Sequence, residues 1–184
     1  SFAQGPMDVL DHSCSKPGFG GKMCLDGTRK LPEERDERYS YPESDRPFPD
    51  KELLTAFPEI RAIHAGLVKQ GIPCRIVSVL KNRKGQVREL HQALAARLSS
   101  VFPPKLILYI DDLVNPAELP IALWRFCNNL DPRRDHLLFE GELEGKLFAC
   151  MGLDGTTKTE AWDDFQRDWP NIIVADDPTI ALVD

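Results

Sequence analysis

Tyr109-Ile110-Asp111-Asp112 sets two adjacent carboxylates directly after an apolar run. Metal-dependent nucleotidyl transfer uses a Tyr-x-Asp-Asp pattern of this kind at a hairpin turn. That chemistry also needs a third carboxylate, a returning strand and a basic template channel. Here Asn115-Pro116-Ala117-Glu118 starts a helix instead, and the chain is acidic. A phosphatase-type Asp-x-Asp fails because Leu113 occupies the second acidic position. The pair therefore reads as a solvated turn at a strand end, with Asp111 or Asp112 ordering it. Open α/β sheets bind ligands at that edge, so it is also a candidate ligand site.

The other reactive groups read more plainly. GFGGK (18–22) is glycine-rich but lacks the strand–loop–helix context and the Gly-Lys-Ser/Thr ending of a phosphate loop. It reads as a turn that needs positive φ. His64 and His91 sit on or beside apolar faces and read as packed histidines; His12 and His136 each follow an aspartate. No spacing joins the four into a metal site. The five cysteines are an odd count with no Cys-x-x-Cys, which argues against a disulfide scaffold or a zinc finger and for a reducing compartment. Trp124, Trp162 and Trp169 read as packing anchors, and an exposed tryptophan would mark an interface.

The elements that must position these groups follow from periodicity. Ile60, Ile63, Leu67 and Val68 have helical spacing, with Gly71 as a stop. Cys74–Leu80 and Leu106–Ile110 are short apolar runs that predict buried strands. Val87, Leu90, Leu94 and Leu98 predict an amphipathic helix between them. Asn115, Pro116 and Glu118 read as N-cap, N1 and N3 of a helix that runs to about Asn129. Leu137–Glu140 and Lys146–Met151 predict a hairpin around Gly141 and Gly145, Asn171–Ala175 a last strand, and Asp177-Pro178 a last helix start. Strands alternating with helices predict an α/β fold, a layered Rossmann-like sheet flanked by helices. Residues 31–52 hold four prolines and many charges and read as an exposed linker. The organisation expected is an extended N-terminal arm over 1–50 and an α/β domain over 51–184.

Composition bounds the function. Hydrophobic content is 42% and charge 28%, ordinary for a globular chain with one core. No apolar run reaches the roughly 20 residues of a membrane span, and no secretory signal opens the chain. The net charge is −6, and residues 131–184 hold 13 acids against 5 bases. Such acidity disfavours nucleic acid and anionic membrane as partners. A cytoplasmic location is expected. The chain opens on Ser1 with its first methionine at Met7, and reads as a piece of something longer.

One internal repeat stands out. GKMCLDGTRK (21–30) aligns with ACMGLDGTTK (149–158) at a shift of 128 residues, with six of ten positions identical. The stretch MDVLDHSCSKPGFGGKMCLDGTRK (7–30) resembles the closing motif of UbiD-family decarboxylases. KLILYIDDLVNPAELPIALWRFCNNLDPRRD (105–135) resembles the strand, Asp-rich turn, Trp-bearing helix and Asp-Pro-x-Arg-Asp that precede that motif in the family. The order here, closing motif first, implies a duplicated C-terminal domain: 5–30 ends one copy and 51–184 forms the second. The wording is similar to the long UbiD-like proteins of menaquinone biosynthesis.

The resemblance implies a parent carboxy-lyase acting on a prenylated or polycyclic aromatic acid in quinone biosynthesis. It also implies prenylated FMN, a divalent metal and potassium in a central split-barrel domain that bears a Glu-Arg-Glu set. This chain has no counterpart of that domain. Glu140-Gly141-Glu142-Leu143 is only superficially similar to the catalytic glutamate segment. No residue here is therefore assigned a catalytic, cofactor-binding or metal-binding role. The family-motif residues, expected to be structural or interfacial, are Lys22, Met23, Asp26, Thr28, Asp111, Asp112, Asp131, Arg134, Asp135, Asp154, Thr156 and Lys158. Cys150 stands where the first copy has Lys22. Expected partners are the parent's own upstream catalytic domain and a second copy of the chain in a homo-oligomer. A free-standing α/β ligand-binding or regulatory module is the alternative.

Overall fold

A computed structural model describes residues 2–6, 19–23, 26, 28–35, 38, 50–64, 66–70, 72–99, 105–143, 145–166, 178 and 181–182. The expected strand at 171–175 lies outside the described residues, as do Trp169 and His12.

In the arm, β1 (Phe2–Pro6) and β2 (Phe19–Met23) pair antiparallel. GFGGK thus contributes most of a strand, not a positive-φ turn, because its glycines are paired across β1.

The domain opens with α1 (Asp50–Ala56) and β3 (Ile60–His64). The helix expected through Ile60 and Ile63 is not there. Pro58 cannot continue α1, and a register shift between Ile60 and Ala62 bulges β3. A bulge inserts one residue, so two isoleucines three apart reach the same core as Val77 and Val79. Leu67 and Val68 fall in the single turn α2 (Gly66–Lys69).

Beyond it the expected elements follow in order, β4 (Cys74–Val79), α3 (Gln86–Ser99), β5 (Leu106–Asp111) and α4 (Leu119–Asn129), then, after a short helix the sequence does not announce, α5 (Pro132–Asp135), the hairpin β6 (His136–Leu143) and β7 (Lys146–Asp154), and a second such helix, α6 (Glu160–Asp163). α4 begins three residues later than the cap motif predicts. Asn115 Oδ1 does accept a bond from Ala117 N–H at 3.0 Å, but it closes an isolated turn, and Pro120 opens the helix proper. The hairpin turns at Gly145, at φ +76°, whereas Gly141 lies inside β6 with no room for a Cβ beside Phe148 and Phe139.

The sheet order is β3-β4-β5-β7-β6. β4, β5 and β7 run parallel, and β3 and β6 are antiparallel edges. Side chains alternate across a strand, which divides the core in two. Val77, Val79, Ile107, Tyr109 and Cys150 meet α3; Ile76, Leu108, Ile110 and Leu153 meet Ala122 and Phe126 of α4. The chain therefore leaves β4 over one face and the adjacent β5 over the other. Adjacent strands with diverging exits open a crevice at their carboxyl ends.

His91 is packed, as expected. It is fully buried on α3, with Nδ1 3.0 Å from the Tyr109 hydroxyl and Nε2 3.2 Å from the Cys150 carbonyl oxygen. Tyr109 is thereby a core residue and not part of a metal-binding turn.

Candidate functional site

The crevice is occupied by the chain's own charges. β5 ends at Asp111, whose two carboxylate oxygens accept from Thr157 N–H at 2.8 Å and Thr157 Oγ1–H at 2.7 Å. Arg125 of α4 lies 3.6 Å away. β7 ends at Asp154, whose Oδ1 accepts from Thr156 N–H at 3.0 Å and Thr156 Oγ1–H at 2.5 Å. Lys158 folds back over this turn. It donates to the Asp154 and Thr156 carbonyls at 2.8 Å each and stands 3.2 Å from Asp154 Oδ1.

The Asp131–Asp135 motif closes the cluster from below. Asp131 caps α5 by accepting from Arg133 N–H at 3.0 Å. Asp135 takes a bidentate pair from Arg134, at 2.7 and 2.6 Å, and the Asp131 N–H at 2.8 Å. Arg134 also stacks over Phe165, 4.6 Å from the ring centre. Lys81, just past β4, donates to the Thr157 carbonyl at 2.6 Å and to both oxygens of Asp163, at 3.1 and 2.9 Å.

Burial alone would raise the Asp154 carboxyl, but Lys158, Lys81 and the two Thr156 bonds outweigh it and hold it below the usual carboxylate range. Burial pushes the Asp135 carboxyl up, against the pull of Arg134 and Lys158. For Arg134, burial is outweighed by the Asp135 pair, which pushes the guanidinium up.

Seven of the expected residues thus meet: Asp111, Asp131, Arg134, Asp135, Asp154, Thr156 and Lys158. Asp112 does not enter the network among the described residues. Lys22 and Met23 lie on β2, and Asp26 and Thr28 form a turn in the arm with Lys30. Sequence reasoning missed Lys81, Arg125, Thr157 and Asp163. Thr157 lies inside the repeat at a position the first copy fills with Arg29, so the comparison of copies passed over it.

The network itself lines a cleft of about 270 Å³, where Lys81, Arg134, Asp135, Asp154 and Asp163 are joined by Lys84, Arg88 and Trp162. Pockets for small molecules and cofactors usually run roughly 300–1,000 Å³. Among the described residues no three His, Cys, Asp or Glu side chains converge as metal ligands. The acids here are taken up by lysine, arginine and hydroxyl partners, a donor set that does not suit a metal ion. What the arrangement does is lock three strand ends, α4, α5 and the α6 loop together with paired charges.

A separate surface lies on α4. Ile121, Leu123 and Trp124 are exposed, Trp124 by 50%, and Leu113 before the helix is exposed by 86%. Leu113, Ile121 and Trp124 border a shallow groove of about 320 Å³ with Val114, Glu118 and Arg125. Trp124 is therefore not the core anchor the sequence suggests. No helix among the described residues is long and apolar enough to cross a membrane.

Residues 48–152 match the family model of the 3-octaprenyl-4-hydroxybenzoate carboxy-lyase C-terminal domain. An uncharacterized protein of Helicobacter pylori is 28% identical over 179 residues, covering 92% of this chain and 25% of the relative. An uncharacterized protein of Archaeoglobus fulgidus is 28% identical over 151 residues, covering 69% and 29%. The chain thus spans about a quarter of the length of the curated relatives it matches. Among solved structures, the vanillic acid decarboxylase of Sedimentibacter hydroxybenzoicus in open form aligns at TM-score 0.56 and 20% identity, over 73% of this chain and 30% of that one. The UbiD-class enzyme HmfF from Pelotomaculum thermopropionicum, in complex with FMN, aligns at TM-score 0.53 and 16% identity, over 72% and 30%. At these identities the likeness is one of fold.

Proposed function

This chain belongs to the 3-octaprenyl-4-hydroxybenzoate carboxy-lyase C-terminal domain family, and from that premise we propose that it is the architectural end of a UbiD-like non-oxidative decarboxylase. The parent acts on a prenylated or polycyclic aromatic acid in quinone biosynthesis, of the menaquinone or ubiquinone kind. Its cofactor is prenylated FMN, with divalent metal and potassium, held in a catalytic domain upstream of this chain. The chain itself packs between domains and between subunits in the cytoplasm. Residues 1–50 are the end of a preceding domain copy and its linker, and 51–184 is the second copy.

The observation that carries this reading is that the chain's own cations and hydroxyls engage the carboxylates at the strand ends. At the edge where an open α/β sheet would hold a ligand, Asp111, Asp135, Asp154 and Asp163 are each engaged by a cation or hydroxyl of this same chain. A carboxylate so engaged is tied to cations and hydroxyls of its own chain, and holds elements in place. The exposed apolar stripe of α4 supplies the surface that such a packing role requires.

The test is direct. The 184-residue chain is titrated with prenylated FMN and assayed for carbon dioxide release from aromatic acids, alongside the full-length natural protein. The chain is expected to neither bind nor turn over, and the full-length protein to do both. Saturable, stoichiometric flavin binding by the chain alone would overturn the reading.

A further inference from the structure

The arm hairpin and the domain hairpin share one pairing register. Met23 stands opposite Phe2 and Met151 opposite Leu138. Aligning the two Asp-Gly-Thr segments therefore carries β1 onto β6 residue by residue along the strands, with the connection between strands about eight residues longer in the arm. Lys22 opposite Ala3 matches Cys150 opposite Phe139, and Gly21 opposite Gln4 matches Ala149 opposite Glu140. Gly5 falls on Gly141, and Gln4 on Glu140. The sequence repeat does not reach β1; the pairing does.

The turns that follow are also alike. Asp26 Oδ1 accepts from Thr28 N–H at 2.9 Å and Thr28 Oγ1–H at 2.6 Å, and Asp26 pairs with Lys30. Asp154 accepts from Thr156 in the same two ways and pairs with Lys158.

What differs is what surrounds them. β7 is flanked on both edges, by β6 and β5, whereas among the described residues β2 pairs with β1 alone. Lys158 is 2% exposed, with Asp135 as a second carboxylate at 3.7 Å. Lys30 and Asp26 are 41% and 56% exposed. An open strand edge invites another strand, and the relatives carry about three further lengths of chain in which one can lie.

We propose that β1, β2 and the Asp26 turn are the closing hairpin of an upstream copy of this fold. That copy, in the same polypeptide, lays a parallel strand on the edge of β2 that has no partner among the described residues, and sets a carboxylate beside Lys30. The proposal rests on the duplicated-domain reading above and names its contacts. The arm hairpin lies against α5 of this domain, so the finished pair of copies meets hairpin on helix.

Amine acylation followed by mass spectrometry reads this out. In the 184-residue chain Lys30 is expected to label readily and Lys158 hardly at all. In the full-length natural protein Lys30 labelling is expected to fall by about tenfold or more, as protection of a buried site requires. Equal labelling of Lys30 in both proteins would overturn the proposal. So would protection in the 184-residue chain that grows with concentration, which would make a second chain the occupant. Backbone hydrogen exchange of residues 19–23 in the two proteins is the second measurement, and unchanged exchange also counts against the proposal. Decarboxylase activity of the full-length protein is read in parallel. Protected Lys30 without activity defeats the functional reading and leaves the repeat; activity with labelled Lys30 defeats the repeat alone.

Discussion

The Asp135 carboxylate and the Lys158 ammonium stand 3.7 Å apart at 3% and 2% exposure, one arriving just before the β6–β7 hairpin and the other just after it. The hairpin is thus clasped at its open end by charge. Replacing Lys158 with Met removes the cation and leaves Asp135 and Asp154 in the interior. Breaking a buried pair in this way costs about 3–5 kcal/mol. Urea unfolding at pH 7 should show that loss, and a loss below about 1 kcal/mol, the scale of an exposed pair, would mean the clasp is solvated.

Acid should weaken the domain through His91. Burial holds its imidazole down from 6.5 to about 4. The folded value lies below the unfolded one, so its contribution is complete above pH 6.5 and is lost as pH falls toward 4. The full effect is on the order of 3 kcal/mol. His91→Leu should flatten that part of the stability profile, at some cost at neutral pH because Tyr109 loses its partner. An unchanged slope in the variant would assign the acid sensitivity to another group.

Gly155 should resist substitution for a reason the sequence does not suggest. Its φ is not positive. A Cβ there would lie 2.3 Å from the Phe126 ring and 3.0 Å from the Phe126 backbone. Gly155→Ala therefore drives α4 off the sheet, at about 1–3 kcal/mol for an overpacked core. Thermal melting checks this, and Phe126→Leu in the same chain should recover part of the loss.

The α4 surface should matter to assembly and not to folding. Ile121→Glu with Trp124→Glu changes two exposed positions, where substitutions usually act within about 0.5 kcal/mol. The 184-residue chain should melt as before, while the full-length protein should shift to smaller species in analytical ultracentrifugation. Unaltered sedimentation would remove α4 from the list of interfaces.

Legibility in the sequence followed the reach of each signal. β4, α3, β5 and the β6–β7 hairpin were readable because apolar runs and helical periods each report one element facing one core. Ile60 and Ile63 misled because a bulge gives a strand the spacing of a helix, and the bulge depends on pairing with β4. Asn115 misled differently: its side-chain bond forms, but a cap motif does not say whether a helix follows at once. In the site, Asp111, Asp135, Asp154 and Lys158 lay in recognisable strings. Lys81 and Asp163 did not, because ion pairs between distant loops leave no mark on local spacing.

If the arm hairpin ends an upstream copy, two hairpins of one register on one polypeptide create a hazard during synthesis, since neighbouring related units can exchange strands and misassemble. The place where the copies disagree guards against this. Cys150 is fully buried, its carbonyl under His91 and its side chain in the α3 core. The arm offers Lys22 at that position. Were β2 to take the place of β7, an unpaired ammonium would enter an apolar layer, a cost of several kcal/mol. On the duplicated-domain proposal the exchange is unfavourable in this direction, which steers each hairpin to its own sheet.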